Sequence, residues 1–330
     1  DLIAMGRALI ADPALPGKLA SGHPEDIRTC LRCNDGCSSR GPLIRTQRCA
    51  VNAEVGRERQ MRLHPAFRVK HVCVVGGGPA GMEAARILAA RKHKVTLIEK
   101  EKELGGHLLP GSVPEFKQEV RGFLNYLRTE VRKAGVEVLL NQPATLDSVR
   151  GLKPDAVVLA AGSSLHIPDI PGVAQPFVGT AIDVLAGQFQ PGERVAVVGG
   201  AAVGCEVAAH LASQGRKVTV IEMLPDIILD LEARARVTLL QLLQEKKVEV
   251  RLNVRLEEIG PRKIRVADRN WQESEIPVDS VVLALGLRSN QELLEPLKRN
   301  FAEVHVIGDC LEPRKIYQAI HEGAFVGRAI

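Results

Sequence analysis

Aromatic residues are scarce in this 330-residue sequence, which holds one Trp, two Tyr and seven Phe. So few rings leave little to stack against nucleobases, and no polybasic tract accompanies them, so both features argue against a nucleic-acid partner. Long hydrophobic runs are missing as well. Stretches such as Val72–Val75 and Val195–Val198 are flanked by charge and far too short to cross a bilayer, so no membrane span is expected. Charge of one sign is not in strong excess: 44 Lys+Arg face 39 Asp+Glu, a net +5 spread along the chain. The seven cysteines do not form the evenly spaced framework of a small secreted domain. Four of them cluster near the N-terminus, which suits metal ligands in a reducing, cytoplasmic compartment. The sequence opens at Asp1 rather than Met, and no signal peptide is visible.

What is present is an internal repeat. HVCVVGGGPAGMEAARILAARKHKVTLIEK (71–100) aligns with RVAVVGGAAVGCEVAAHLASQGRKVTVIEM (194–223) at a constant offset of 123 residues. VVLAAG (157–162) matches VVLALG (281–286) one residue out of register. Each copy reads as a β-branched strand, a Gly-rich turn, an amphipathic helix and a second strand ending in an acid, which is a βαβ unit. Two such units predict an α/β fold with two Rossmann-like parallel sheets covered on both faces. Between the copies the pattern predicts a helix near 114–134, a strand at 136–140 and a Pro- and Gly-rich linker over 167–191. A helix near 231–246 and strands at 248–252 and 264–267 continue the second copy. VHVIGDC (304–310) then supplies a strand and turn that return to the first. The expected organisation is residues 1–66, then a first nucleotide domain of 67–188 and 302–330, with 189–301 inserted as a second.

The turns say what is bound. Gly76, Gly78 and Gly81 form GxGxxG directly after a strand and at the start of a helix. The first permits the tight turn, the second lets a pyrophosphate approach the backbone, and the third lets helix and strand pack closely. Glu99 ends the next strand, where it would accept hydrogen bonds from an adenosine ribose. Glu83, in the first turn of the helix, either complements the helix dipole or has a functional role. The second copy reads Gly199, Ala201 and Gly204, with Glu222 as its acid. Its extra methyl calls for some adjustment of the pyrophosphate, and the alternative is a decayed repeat kept for packing. A carboxylate at 222 would prefer NADH to NADPH, since the 2′-phosphate of NADPH would face a like charge. Arg216 and Lys217 precede the end of that strand and are expected to point elsewhere, whereas Arg234 or Arg236 remains a possible counter-signal.

The first copy resembles the flavoproteins with two dinucleotide-binding domains. The resemblance rests on Gly308–Asp309 after the last strand, on Gly105–Gly106 in ELGGHL, and on Ala160–Gly162, where Ala161 replaces the usual Thr. It implies that FAD is held by the first turn, that Gly106 and Gly162 line its site, and that Asp309 contacts the ribityl and phosphate portion. An ordinary turn carboxylate is the bland reading of Asp309. No C-x2-C or C-x4-C follows the FAD turn, so a dithiol reductase mechanism lacks support. No general base or nucleophile is assigned.

Cys30, Cys33, Cys37 and Cys49 give C-x2-C-x3-C-x11-C. Structural zinc usually takes paired C-x2-C motifs, whereas three close cysteines and a distant fourth suit a [4Fe–4S] cube. Spacing alone leaves both open; a neighbouring flavin unit favours the cube, because zinc carries no electrons. Cys73 and Cys205 read as buried core thiols, and Cys310 has no evident role.

DLIAMGRALIADP (1–13), the cysteine pattern and RCAVNAEVGRE (48–58) together resemble the dienoyl-CoA reductase, enoate reductase and trimethylamine dehydrogenase family, over essentially the whole chain. In that family Gly6 and Arg7 would belong to the end of a TIM barrel and help hold an FMN phosphate. Only 29 residues precede Cys30, whereas a TIM barrel takes about 250. The chain is therefore expected to be a fragment, or one part of a split enzyme, that lacks the substrate-reducing barrel. The implied activity is electron input, in which NADH reduces FAD and electrons pass through the cluster toward FMN. Two alternatives stand beside it. One is a structural, ADP-binding scaffold of the trimethylamine dehydrogenase kind. The other is a protein like the small subunit of glutamate synthase, which lacks GRALIADP. Self-association and the physiological substrate are left open.

Overall fold

The structure, a computed structural model, describes residues 2–43 and 45–330, with 41–43 described by backbone only. Asp1 and Ile44 of the expected 1–66 segment lie outside the described residues. The chain forms two compact units. One comprises the residues up to Ser112 with Gln118–Ser164 and Arg288–Ile330; the other comprises Val113–Lys117 and Leu165–Leu287.

The first unit is built on a five-stranded parallel sheet. Its strand order is Val304–Val306, Ala156–Leu159, His71–Val75, Lys94–Ile98 and Glu137–Leu139. The β-branched runs at its centre are buried on both faces, as a parallel sheet requires. Helix Pro79–Ala90 covers one face and packs on helices Gln118–Lys133 and Ile316–Ala329. Met82, Phe123 and Leu127 are fully buried there, each contributing about 1.5–3 kcal/mol of hydrophobic stabilisation. The final helix approaches Pro79–Ala90 closely because its contact residues are glycines. A Cβ on Gly323 would stand 2.5 Å from the Ala80 carbonyl oxygen.

The N-terminal 66 residues pack into this unit and do not form one of their own. Asp12 ends helix Arg7–Ala11, and its carboxylate accepts from Lys18 Nζ and the Arg28 amide at 2.7 and 2.8 Å. Asn52 Nδ2 donates to the Ile10 carbonyl at 3.2 Å, which joins the two ends of the cysteine segment.

The second unit repeats the sheet plan in the order Val178–Thr180, Ser280–Leu283, Arg194–Val198, Lys217–Glu222 and Glu249–Leu252. Helix Ala202–Ser213 corresponds to Pro79–Ala90. A three-stranded antiparallel sheet, Val254–Gly260, Lys263–Asp268 and Glu273–Pro277, is added.

The expected boundaries at 188/189 and 301/302 differ from the observed crossings at 164/165 and 287/288. The reason lies in the supposed linker over 167–191. Its segment Val178–Thr180 pairs with Ser280–Leu283 as the outer strand of the second sheet, and helix Ala181–Leu185 follows behind a Thr180 capping box.

Candidate functional site: two Gly-rich turns and a four-cysteine pocket

Gly76 leaves its strand at φ +105°, and a Cβ there would lie 2.2 Å from the Ala160 carbonyl oxygen. A Cβ on Gly81 would lie 1.9 Å from the Gly76 carbonyl oxygen, so the helix reaches the strand only because this residue has no side chain. Gly78 differs, since a Cβ there would meet nothing within 4 Å. The space beside it is open, as the approach of a pyrophosphate demands. Around this opening four distant segments converge. Gly106 stands with its would-be Cβ 3.1 Å from the Gly78 Cα, and Gly105 N donates to the Gly77 carbonyl at 2.9 Å. Gly308 packs on Ala80, with its amide donating to Glu322 Oε2 at 2.7 Å. Asp309 accepts from Ser163 Oγ and the Arg314 amide at 3.0 and 3.2 Å, and His107 Nδ1 lies 3.8 Å away. Burial works to raise the Asp309 carboxyl, but these donors outweigh it and hold the group below its ordinary range. Gly162, at φ +72°, adjoins Ser163, and its carbonyl accepts from the Asn290 amide at 3.0 Å.

Glu99 is 6% exposed, and each of its oxygens takes one backbone donor: Gly77 N at 2.6 Å and Glu101 N at 2.9 Å. A carboxylate oxygen has a second acceptor site, so both remain able to receive a ribose hydroxyl. Glu83 faces no such opening. Arg86 holds it bidentately at 2.6 and 2.7 Å, a buried ion pair within the helix.

The second turn reproduces the first. Gly199 takes φ +111°, and a Cβ on Gly204 would again stand 1.9 Å from the carbonyl of the first glycine. Glu222 accepts from Gly200 N at 2.6 Å and Leu224 N at 2.8 Å, the counterparts of the Glu99 bonds. Ala201 takes φ −70° and ψ 175°, close to the −72° and −178° of Gly78, so the extra methyl costs the backbone nothing. Arg216 donates to the Pro191 carbonyl and Gln214, and Lys217 pairs with Glu193 at 3.1 Å. Arg236 binds Asp226 at 2.6 Å, and Arg234 is exposed.

Cys30, Cys33, Cys37 and Cys49 line one pocket with Arg7, Asn34 and Asp35. The loop is wound tightly: Arg32, Asn34 and Gly36 all take positive φ, 54°, 59° and 86°. Left-handed backbone at a non-glycine residue costs about 1–3 kcal/mol and concentrates at functional sites. Among the described residues, no three of these sulfurs lie within 4.8 Å of one another. Tetrahedral thiolates on one zinc, with Zn–S near 2.3 Å, would sit about 3.8 Å apart. Burial pushes the Cys33 thiol up to about 11 and raises Cys49 as well. Arg7 Nη1 donates to Asn34 Oδ1 at 2.6 Å, while Gly6 is exposed at the start of the first helix. Cys73 and Cys205 are core thiols raised to about 12 by burial, and Cys310 Sγ donates to the Asn290 carbonyl.

Residues 70–323 match the family model described as pyridine nucleotide-disulphide oxidoreductase. The chain belongs to this family. Over its whole length it is 37% identical to a cinnamate reductase of Clostridium sporogenes, and over 98% of its length it is 40% identical to an NADH oxidase of Thermoanaerobacter brockii. A solved 2-naphthoyl-CoA reductase, in complex with 2-naphthoyl-CoA, superposes with a TM-score of 0.95 at 34% identity over 99% of this chain. The chain spans about half the length of each of these relatives (50%, 51% and 50%). These matches bear out the resemblance to the enoate reductase family and the Rossmann-like flavoprotein fold. The family implies FAD and a nicotinamide dinucleotide.

Sequence reasoning missed several residues at these sites. Ser163, His107 and Glu322 surround the Gly308–Asp309 turn, and His321, Arg57 and Tyr317 stand beside the cysteine pocket. His107 directly follows the Gly-Gly pair, a signal that was available. Ser163 likewise follows the Ala160–Gly162 turn, and the rest lie in or against a final helix that the pattern past residue 310 leaves unassigned. Burial holds His321 neutral, its pKa pushed down to about 4.

Proposed function

We propose that the chain is the electron-input part of an NADH:flavin oxidoreductase of the enoate reductase type. The observation that carries this reading is the convergence of Gly76–Gly81, Gly105–Gly106, Gly162–Ser163 and Gly308–Asp309 on one opening, in the unit that also holds the cysteine pocket. FAD fits the first turn, with its pyrophosphate beside Gly78 and its ribose on Glu99. NADH fits the second turn, where Glu222 reads the 2′-hydroxyl and disfavours NADPH. The C-x2-C-x3-C-x11-C spacing beside a flavin unit, with all four cysteines lining one pocket, favours a [4Fe–4S] cluster over zinc. Held at the first turn, FAD would supply a hydride acceptor and a cysteine-bound cluster would supply single-electron transfer toward an FMN of a barrel domain, to whose site Gly6 and Arg7 would contribute. This chain's own residues bind and orient; none is assigned proton transfer. Asp309 would contact the ribityl and phosphate portion, and Glu99 and Glu222 would anchor the two riboses. A reducing, cytoplasmic setting belongs to the same reading, since four thiols must stay available as ligands. Among the described residues no helix is long and apolar enough to cross a membrane.

Identification of the bound groups tests the proposal. Protein purified without oxygen should release FAD and contain about four irons and four sulfides per chain. Release of ADP without flavin would favour a scaffold of the trimethylamine dehydrogenase kind. Stoichiometric zinc without iron would remove the electron path.

A further inference from the structure

The last helix, Ile316–Ala329, turns one face to the cysteine loop and another to the first Gly-rich turn. On the cysteine side His321 is 5% exposed, with Nε2 2.9 Å from the Cys49 carbonyl oxygen and Nδ1 2.7 Å from Arg57 Nη2. A guanidinium can only donate, so Nδ1 accepts and the ring proton sits on Nε2, donated to Cys49. One turn earlier the Tyr317 ring stacks on His321 at 3.9 Å and 18°. Tyr317 also presses on the loop, for a Cβ on Gly36 would stand 2.8 Å from its ring. Arg57 is itself fixed, its Nε donating to the Ala53 carbonyl at 2.9 Å and its guanidinium 4.5 Å over the Phe325 ring. On the other face Glu322 holds the Gly308 amide.

We infer that His321 is a positioning residue of the cysteine site: backed by Arg57, it polarises the Cys49 carbonyl and raises the reduction potential of the iron–sulfur group held there. The inference rests on the cluster reading of the preceding subsection. Reduction adds a negative charge to that group. A donor on the carbonyl of a ligating residue, with a cation behind it, draws electron density away and favours the more negative state. Packing alone would need only the volume of the ring. The chain from Arg57 through Nδ1 and Nε2–H to the carbonyl does more, since it points a positive charge at one ligand.

The test uses the 330-residue chain reconstituted without oxygen, with iron and flavin counted, and the cluster titrated with dithionite while EPR is recorded. His321→Phe keeps the stacked ring and removes both hydrogen bonds. At the wild-type midpoint its reduced-to-oxidised ratio should fall about tenfold, equivalent to 59 mV for one electron. Arg57→Gln should shift the midpoint in the same direction. His321→Gln, whose carboxamide can again donate to Cys49, should recover at least half of the shift. Flavin content and bleaching by NADH should stay as in wild type. The inference is overturned if both His321→Phe and Arg57→Gln titrate at the wild-type midpoint with full iron, or if His321→Gln recovers nothing. Should His321→Phe not fold, Arg57→Gln and His321→Gln decide the matter by the same midpoints. Wild type that binds no iron at all would instead overturn the cluster reading, a failure visible before any variant is made.

Discussion

Glu222→Gln removes one charge at the second nucleotide turn while keeping the side chain's size. In the wild type both carboxylate oxygens are anchored by backbone amides, at 2.6 and 2.8 Å, and the residue is 8% exposed. A carboxylate held this firmly cannot swing away from a 2′-phosphate. A phosphate monoester carries about −1.5 to −2 at neutral pH, and one unit charge at 4 Å interacts by about 1 kcal/mol in water and about 4 kcal/mol near a protein surface. The neighbouring Met223 and Leu224 are 61% and 48% exposed, which places the rim toward the watery end of that range. Arg216, Lys217 and Arg236 are each engaged with a partner of their own, and Arg234 is exposed to solvent, where its charge is screened. The expected penalty is therefore at least about 1.4 kcal/mol, or tenfold in Kd, against NADPH. In Glu222→Gln the amide leaves one backbone donor facing its NH2, at a cost of about 1–3 kcal/mol, so absolute affinity falls for both nucleotides. The ratio of the two Kd values, from fluorescence titration of each nucleotide, is the measurement that matters. It should drop from tenfold or more to within about threefold of unity. Equal affinities in the wild type, or an undiminished ratio in the variant, would show that another residue reads the ribose.

Three further outcomes are expected. Gly81→Val should abolish flavin retention and lower Tm by several degrees, because its side chain enters where the Gly76 carbonyl stands 1.9 Å away and overpacking costs about 1–3 kcal/mol. Cys33→Ser should lose most of its iron on gel filtration while keeping flavin, since the two sites use different residues of the same unit. The third is a pH effect. The Arg194 guanidinium and amide hold Asp279 down to about 2, so its contribution is present above the unfolded value near 3.9 and is lost as pH falls through about 2. The stability gap between wild type and Asp279→Asn, read from urea midpoints, should accordingly shrink between pH 6 and pH 3.

The parts of the fold that were legible are those in which local sequence dictates backbone. The two Gly-rich turns could be read because only glycine fits at Gly76, Gly81, Gly199 and Gly204, and the duplication repeats that requirement 123 residues on. The segment Val178–Thr180 was not legible. Three residues between Pro- and Gly-rich stretches carry no period, and their strand exists only because Ser280–Leu283 offers an edge. The final helix was missed for a related reason. Its contact residues are the small Gly323 and Gly327, which break an apolar stripe while allowing the close packing that fixes His321 and Glu322 in place. The cysteine spacing was legible as a ligand set, but the loop's left-handed Arg32 and the clasp by Arg57 and His321 depend on segments far apart in sequence.

The central claim is that this chain passes electrons from NADH through a flavin to the cysteine site. Anaerobic stopped-flow mixing of the flavin- and iron-loaded chain with NADH tests it directly. Rapid bleaching of the flavin band should be followed by a slower loss of the broad iron–sulfur absorbance, with the second phase missing in Cys33→Ser. A flavin that stays oxidised under excess NADH, in protein with full flavin and iron, would contradict it.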